Sequence, residues 1–514
     1  MALRPFPGPA RWKAMRVALM ATYSSERMDP IRLQHGMPGF DGHGREPIEA
    51  VIVGAGVAGL LAAYSLLRHR PGTRVVIVDA GLPMETRRAQ PQLSASGEGG
   101  AGLFLGGRLY LGGAALPVMP PVSAPPGVRS VIAGDAYVER AMQIDALLRE
   151  LGAHAEWQPE PPEPLAQAIR AAAAAGLEYV TSYPSRRLSP EDKTAVLTGL
   201  RRTLVAGGAR FIFGARVTVA TRAENGFLLT LDSGASPVES IPERLLSRTL
   251  LLAPGRYGAE WLTRAASDLG AEVIALPRGF GVRLEMPAAV YDRLTDVNPD
   301  PRLQAALPDD IYIKTYATCP GGVVSPVARY GALVASGVPA LKREERGPST
   351  TVAILAQHGA GSSSGEWRGG ERAAQILNQR APGRLIVQRL EDARHQRATT
   401  AEALAASPIR PTDLTATPGA LHDVYPGVYW AAFEDFLARL ERLAPGVASG
   451  DTLLYGPAEE RFWYFPTDDQ MQTATPDLFV AGDGPGQSQG IIQASVAGIL
   501  AGEGLAAALA RVAL

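Results

Sequence analysis

Apolar and polar positions recur along this chain with two periods, and the switches between them mark its elements. Ala50–Val53 is an unbroken apolar run, as expected of a strand buried on both faces. It enters Gly54-Ala55-Gly56-Val57-Ala58-Gly59. Leu60, Leu61, Tyr64, Leu66 and Leu67 then recur at helical spacing, and a second apolar run, Val75–Val78, ends in Asp79. The predicted order is strand, turn, helix, strand. Further on, Ser189 and Pro190 read as the cap and first position of a helix with Glu191 and Asp192 in its first turn, stopped by Gly207-Gly208. Phe211–Phe213 and Arg216-Val217 follow as strands, Asn225-Gly226 opens the alternating hairpin NGFLLTLDSG, and RTLLLAPGRYG is a buried strand ending at Ala253-Pro254-Gly255.

Between about Ala265 and Asp469 the pattern changes. FGVRLEMP and DDIYIKTYATCPGGVVSP alternate as strands, with Pro320-Gly321-Gly322 as a tight turn, and GVYWAAFEDFLARLERLAPG is an amphipathic helix. Near the C-terminus Leu478–Ala481 is a short strand that runs into Gly482-Asp483-Gly484 and then a long helix of small residues. The expected fold class is α/β: a Rossmann-like parallel sheet with helices and a β-meander, plus an inserted α+β unit. The expected division is an extension at 1–48, a first domain at 49–264 and 470–514, and a second at 265–469.

The glycine turn carries the chemistry. Gly54 makes the tight turn, Gly56 lets backbone approach a pyrophosphate, Gly59 permits close helix–strand packing, and the helix start faces the anion. Asp79 is placed to accept from the ribose hydroxyls of an adenine nucleotide. A dinucleotide is the expected ligand, and this segment alone does not decide between NAD and FAD. A second glycine-rich stretch, GEGGAGLFLGGRLYLGG from Gly97 to Gly113, needs bare backbone either for cofactor contact or for a mobile lid. Its candidate contacts are Gly99, Gly100, Ala101, Gly102 and Arg108.

TATPDLFVAGDGPGQSQGIIQASVAGILAGEGLA resembles the second FAD fingerprint of flavoproteins of the glutathione-reductase type, with two dinucleotide-binding folds. That resemblance implies FAD, with Gly482 and Asp483 at the ribityl chain and the helix beginning near Gly490-Ile491 aimed at the isoalloxazine. It also implies that Val217 meets the adenine through its backbone and that Ala253 and Gly255 return the chain to the cofactor. In addition, the succession GEGGAG…GGRL, ARVTV, GFGVRLE, TCPGGVV, LYGPAEE and VAGDGPGQSQGIIQA, across most of residues 49–514, resembles a bacterial family of FAD-dependent dehydrogenases of largely unassigned substrate. It departs from that family's pattern at Gly107-Arg108 and in ATCPGG.

Composition narrows the class. Lys and Arg number 50 against 51 Asp and Glu, for a formal net charge of -1, so no overall pull toward nucleic acid or anionic membrane is expected. The apolar C-terminal stretch contains Gln493, Glu503 and Arg511 and reads as a packed helix, not as a stable membrane span. The single cysteine, Cys319, excludes an intramolecular disulfide and a CxxC pair and fits a reducing, cytoplasmic setting. Seven histidines form no HxH or HExxH pattern, so no metal is expected. Residues 1–48 lack periodicity and read as disordered.

Three catalytic candidates remain. Cys319 reads as a nucleophile or proton donor, or as an ordinary buried thiol. Arg461 and Tyr464, in YGPAEERFWYFPTDD, precede the second fingerprint and read as substrate contacts or as packing. The expected function is a flavin-dependent dehydrogenase or reductase acting on a small organic molecule. A transient partner, a quinone or NAD(P)H bound at the flavin face, is the candidate for exchanging reducing equivalents, because only the GxGxxG of Gly54–Gly59 sits between a predicted strand and helix. A flavin monooxygenase, a non-redox hydratase and an FAD-bound electron carrier are the alternatives, and the sequence carries no sign of oligomeric state.

Overall fold

The computed structural model describes residues 47–89, 96–111, 128, 130–181, 183–232, 241–276, 279–308, 310–329, 331–340, 343–358 and 369–511. The expected extension therefore lies, apart from Pro47 and Ile48, outside the described residues. Gly112 and Gly113 lie outside them too.

Five strands run parallel in the order Arg210–Phe213, Val75–Asp79, Ile48–Val53, Arg244–Leu252, Leu478–Val480. Their continuous apolar runs follow from burial on both faces. Ala50 and Ile52 belong to one core with the helices Val57–His69, Gly134–Glu150, Pro190–Ala206 and Ile491–Arg511. Val51 and Val53 belong to a second core with the meander and helix Ala259–Asp268, because successive side chains of a strand point to opposite faces. Helix Pro190–Ala206 starts as its sequence predicts, with a reciprocal capping box between Ser189 and Asp192.

The meander is Arg216–Ala223, Gly226–Asp232 and the first half of Arg244–Leu252, paired antiparallel. That last strand changes partners at Ser247: its N-terminal half lies in the meander and its C-terminal half in the parallel sheet. Helix Val57–His69 lies against Ile491–Arg511 through a glycine seam. A Cβ on Gly498 would overlap the Ala58 carbonyl and one on Gly502 the Ala62 carbonyl, so the two helices approach closer than larger residues allow. Ile491–Arg511 is long and apolar enough to cross a membrane, but most of it is buried inside the fold.

A second sheet of eight strands runs in the order Thr417–Pro418, Ile386–Arg389, Leu453–Glu460, Gly279–Pro287, Ser349–His358, Ile311–Cys319, Arg302–Leu307, Glu178–Val180. Helix Gly427–Leu443 covers one face with Phe433, Phe436, Leu437 and Leu440. The hairpin Val323–Arg329 and Ala332–Val338 contributes Val324 and Ala335 to a smaller cluster with Val387, Leu453 and Tyr455. The strand Glu178–Val180, and helix Glu163–Ala174 in the same core, come from the chain before the meander. The second layer is thus assembled from two parts of the chain, where the hydrophobic pattern alone placed it at 265–469.

Candidate functional site

The glycine turn after Ile48–Val53 is shaped by its neighbours. Gly54 has φ +114°, and a Cβ there would overlap the Ala253 carbonyl oxygen. A Cβ on Gly59 would overlap the Gly54 carbonyl, which is the close packing that its place in the turn calls for. Gly56 differs, because a Cβ there meets nothing nearer than Gly100 Cα at 4.0 Å. It caps Val57–His69 without any side-chain hydrogen bond, and no acid occupies the first turn. A positive helix end therefore faces a space lined by backbone.

Asp79 terminates the neighbouring strand. Its Oδ2 accepts from Ala55 N–H at 2.7 Å and its Oδ1 from Gly81 N–H at 2.7 Å. Burial pushes this carboxyl above the usual carboxylate range, and those two donors oppose the shift. Ala215 N–H donates to the Asp79 carbonyl at 3.2 Å, which sets Val217, two residues on and buried, just past the end of this strand.

The second glycine-rich stretch docks onto the first. Gly99 N–H donates to the Ala55 carbonyl at 2.9 Å, and Gly100–Gly106 forms a π-helix that brings Gly100 opposite Gly56. A Cβ on Gly102 would sit 3.2 Å from Ile491 Cγ1 and 3.5 Å from Val57 Cγ2. Two ion groups hold the ribbon. Buried Arg87 donates to the carbonyls of Glu98 and Gly100 and stacks 3.8 Å from the Phe104 ring centroid. Glu98, fully buried, accepts from Met84 N–H at 2.9 Å and pairs with Arg201. Burial pulls the Arg87 guanidinium down to about 10, opposed by Asp79. Ala101 is exposed, and Arg108 donates to the Tyr183 hydroxyl at 3.2 Å.

The C-terminal segment closes the ring. A Cβ on Gly482 would lie 3.1 Å from Ala58 Cβ, and one on Gly484 2.9 Å from the Gly255 carbonyl. Asp483 Oδ1 accepts from the Ser488 hydroxyl at 2.6 Å; burial pushes its carboxyl up, with Ser488 and Arg256 opposing. Gly490, at φ +137°, sits under the Tyr110 ring and the Gln493 side chain. Two buried acceptors in this segment, Gln487 Oε1 and Gln493 Oε1, have no hydrogen-bond partner among the described residues, an arrangement that favours a ligand carrying donors. Gly54, Gly56, Gly59, Asp79, Gly99, Gly100, Gly102, Ala253, Gly255, Gly482, Asp483, Gly490 and Ile491 thus gather at one end of the parallel sheet.

The three catalytic candidates separate. Arg461 lines a small cleft with Arg256, Phe462, Trp463 and Asp483, and donates to Glu459 at 2.6 Å. Tyr464 is completely enclosed, packed with Leu276 and Phe462 and paired with Ile274 across a two-residue ladder. Cys319 is buried inside the second sheet beside Arg283, whose Nη1 donates to Thr351 Oγ1 at 2.8 Å. Burial pushes the thiol up and Arg283 opposes it. The sequence reading passed over a neighbouring cluster: Glu460 accepts from Arg256 at 2.9 Å and pairs with Lys314 at 2.8 Å, with Arg256 stacked 3.9 Å from the Phe462 centroid. Its signal was the acidic pair Glu459-Glu460 beside an aromatic run.

No protein-family model and no curated protein matches the chain. Solved structures similar to it include a flavoprotein/dehydrogenase from Cytophaga hutchinsonii, at 10% identity and TM-score 0.35 over 91% of this chain and 79% of that one. Another is p-nitrophenol 4-monooxygenase PnpA from Pseudomonas putida DLL-E4, at 13% identity and TM-score 0.33 over 91% and 80%. A third is glycine oxidase from Geobacillus kaustophilus, at 14% identity and TM-score 0.33 over 90% and 94%.

Proposed function

We propose that the chain is an FAD-dependent oxidoreductase that transfers a hydride between flavin N5 and a small organic molecule. The carrying observation is the convergence of three glycine segments, two in the first quarter of the chain and the third near its C-terminus, on one uncapped helix end with open space at Gly56. The residues present fit the cofactor. Gly56 with the helix start would hold the pyrophosphate while Gly54 and Gly59 shape the turn, and Asp79 keeps lone pairs for ribose hydroxyls beyond the Ala55 and Gly81 donors. Val217 would meet the adenine, and Gly99 to Gly102, Ala253 and Gly255 would line its path. Asp483, Gln487 and Gln493 supply acceptors suited to the ribityl hydroxyls and ring N–H, and Gly490-Ile491 presents helix N–H groups to the pyrimidine edge. When bound, FAD supplies two-electron hydride chemistry at N5.

The chain's own residues would then position and shield. Arg461, at the cleft beside Asp483, is the candidate substrate contact. Tyr464 and Phe462 brace the loop from behind, since a Cβ on Gly486 would overlap the Trp463 carbonyl. Cys319, walled into the second sheet, serves packing. The absorbance spectrum of the purified protein tests this reading. A yellow protein, bleached anaerobically by NADH or NADPH, is expected; a colourless chain that takes up no FAD on incubation overturns it.

A further inference from the structure

Four cations surround the exit of the glycine-rich ribbon, and none has an ion pair to a carboxylate among the described residues. Arg108 and Arg187 are direct partners across the two-stranded ladder Arg108–Tyr110 and Ser185–Arg187, so two like charges share one face. Lys193 packs against Gly107 and donates to the carbonyls of Phe104 and Leu105 at 3.2 Å each. Arg88 donates to Thr194, one residue on from Lys193. Burial lowers the Lys193 ammonium, and Arg187 and Arg88 lower it further. Of the two acids that precede Lys193, Asp192 is taken by the Ser189 and His154 N–H groups, and Glu191 makes no ion pair with the four cations among the described residues. Between Ala80 and Gly134 the only acids are Glu85 and Glu98, and Arg201 pairs with both.

We infer that this cluster docks the phosphates of a nicotinamide dinucleotide phosphate, the electron donor of the proposed flavin site. The inference rests on the FAD reading above. Opposed guanidiniums are relieved when a multiply charged anion sits between them, and planar arginines match phosphate oxygens in paired hydrogen bonds. A monoester phosphate brings about two negative charges and a pyrophosphate about two more, which balances Arg88, Arg108, Arg187 and Lys193. Tyr183, packed against the second core, accepts from Arg108 and lies under its guanidinium, which holds that charge in place. Location supports the role: the ribbon against which Lys193 packs at Gly107 meets Ile491 at Gly102. Of the two GxGxxG matches, only Gly54–Gly59 lies between a strand and an α-helix, whereas Gly97–Gly102 runs into a π-helix, so such a donor has no second strand–turn–helix site of that kind among the described residues.

Calorimetric titration of the purified protein with NADPH and with adenosine 2′,5′-bisphosphate, at low and moderate salt, is the test. Wild type is expected to bind both, more weakly as salt rises, and to prefer NADPH over NADH. Arg187→Ser and Arg88→Ser, both at exposed positions, are each expected to weaken binding about tenfold, with Arg187→Lys retaining most of it and flavin content unchanged. Equal affinity in wild type and variants overturns the inference. So does failure of the nucleotides to bind while polyglutamate does, which would indicate an acidic protein partner. A colourless protein that still binds the bisphosphate with this variant dependence would sink the flavin reading and leave the phosphate site standing.

Discussion

Gly56 and Gly59, one helical turn apart, do opposite work in the first turn. Gly59 is needed for packing, because any side chain there strikes the Gly54 carbonyl; Gly56 is needed for vacancy, because a Cβ there finds room. Gly59→Ala is therefore expected to cost about 3 kcal/mol or more in folding, seen as a lowered denaturant midpoint. Gly56→Leu is expected to fold with nearly the wild-type midpoint and to emerge without flavin colour. A coloured Gly56→Leu protein would contradict the placement of the cofactor at that helix end. The tight turn at Gly54 and the close packing at Gly59 were legible in the sequence because turn, helix and strand are contiguous there. What Asp79 does was legible only in part. Its position at the strand end followed from the apolar run, whereas its bonds to Ala55 and Gly81 N–H depend on how two loops lie together.

At the level of elements, the long apolar runs and the Ser189 cap declared themselves through local periodicity, and the strands and helix formed where they predict. Glu178–Val180 did not, since three residues carry too little alternation to register and their pairing partner, Arg302–Leu307, lies more than a hundred residues on. The same holds for the Arg256–Glu460–Lys314 cluster, which joins three separate elements. Although burial pushes the Glu460 carboxyl up, Lys314 and Arg256 hold it below the ordinary glutamate value of 4.5. A depressed carboxyl contributes stability above its unfolded value and loses it as pH falls through the folded one. The denaturant midpoint of the wild type should therefore drop as pH falls below 4.5, and Glu460→Gln, weaker at neutral pH, should show a shallower drop over that range. Parallel curves for the two proteins would show that this carboxylate does not link acid to unfolding.

Across the whole molecule, the close seam between Val57–His69 and Ile491–Arg511 ties together parts of the chain that are remote in sequence; Ser65 Oγ donates to the Ile499 carbonyl at 3.0 Å, 434 residues away. During synthesis the first glycine turn leaves the ribosome long before its partner helix exists. The nascent chain can shape that turn but cannot enclose a ligand in it, so cofactor capture is expected to come after translation reaches the far helix. A chain stopped before Ile491 should accumulate without flavin and should gain it when the missing helix is supplied as a separate peptide, a result readable in absorbance. Retention of flavin by the truncated chain would show that the seam is not what locks the ligand in.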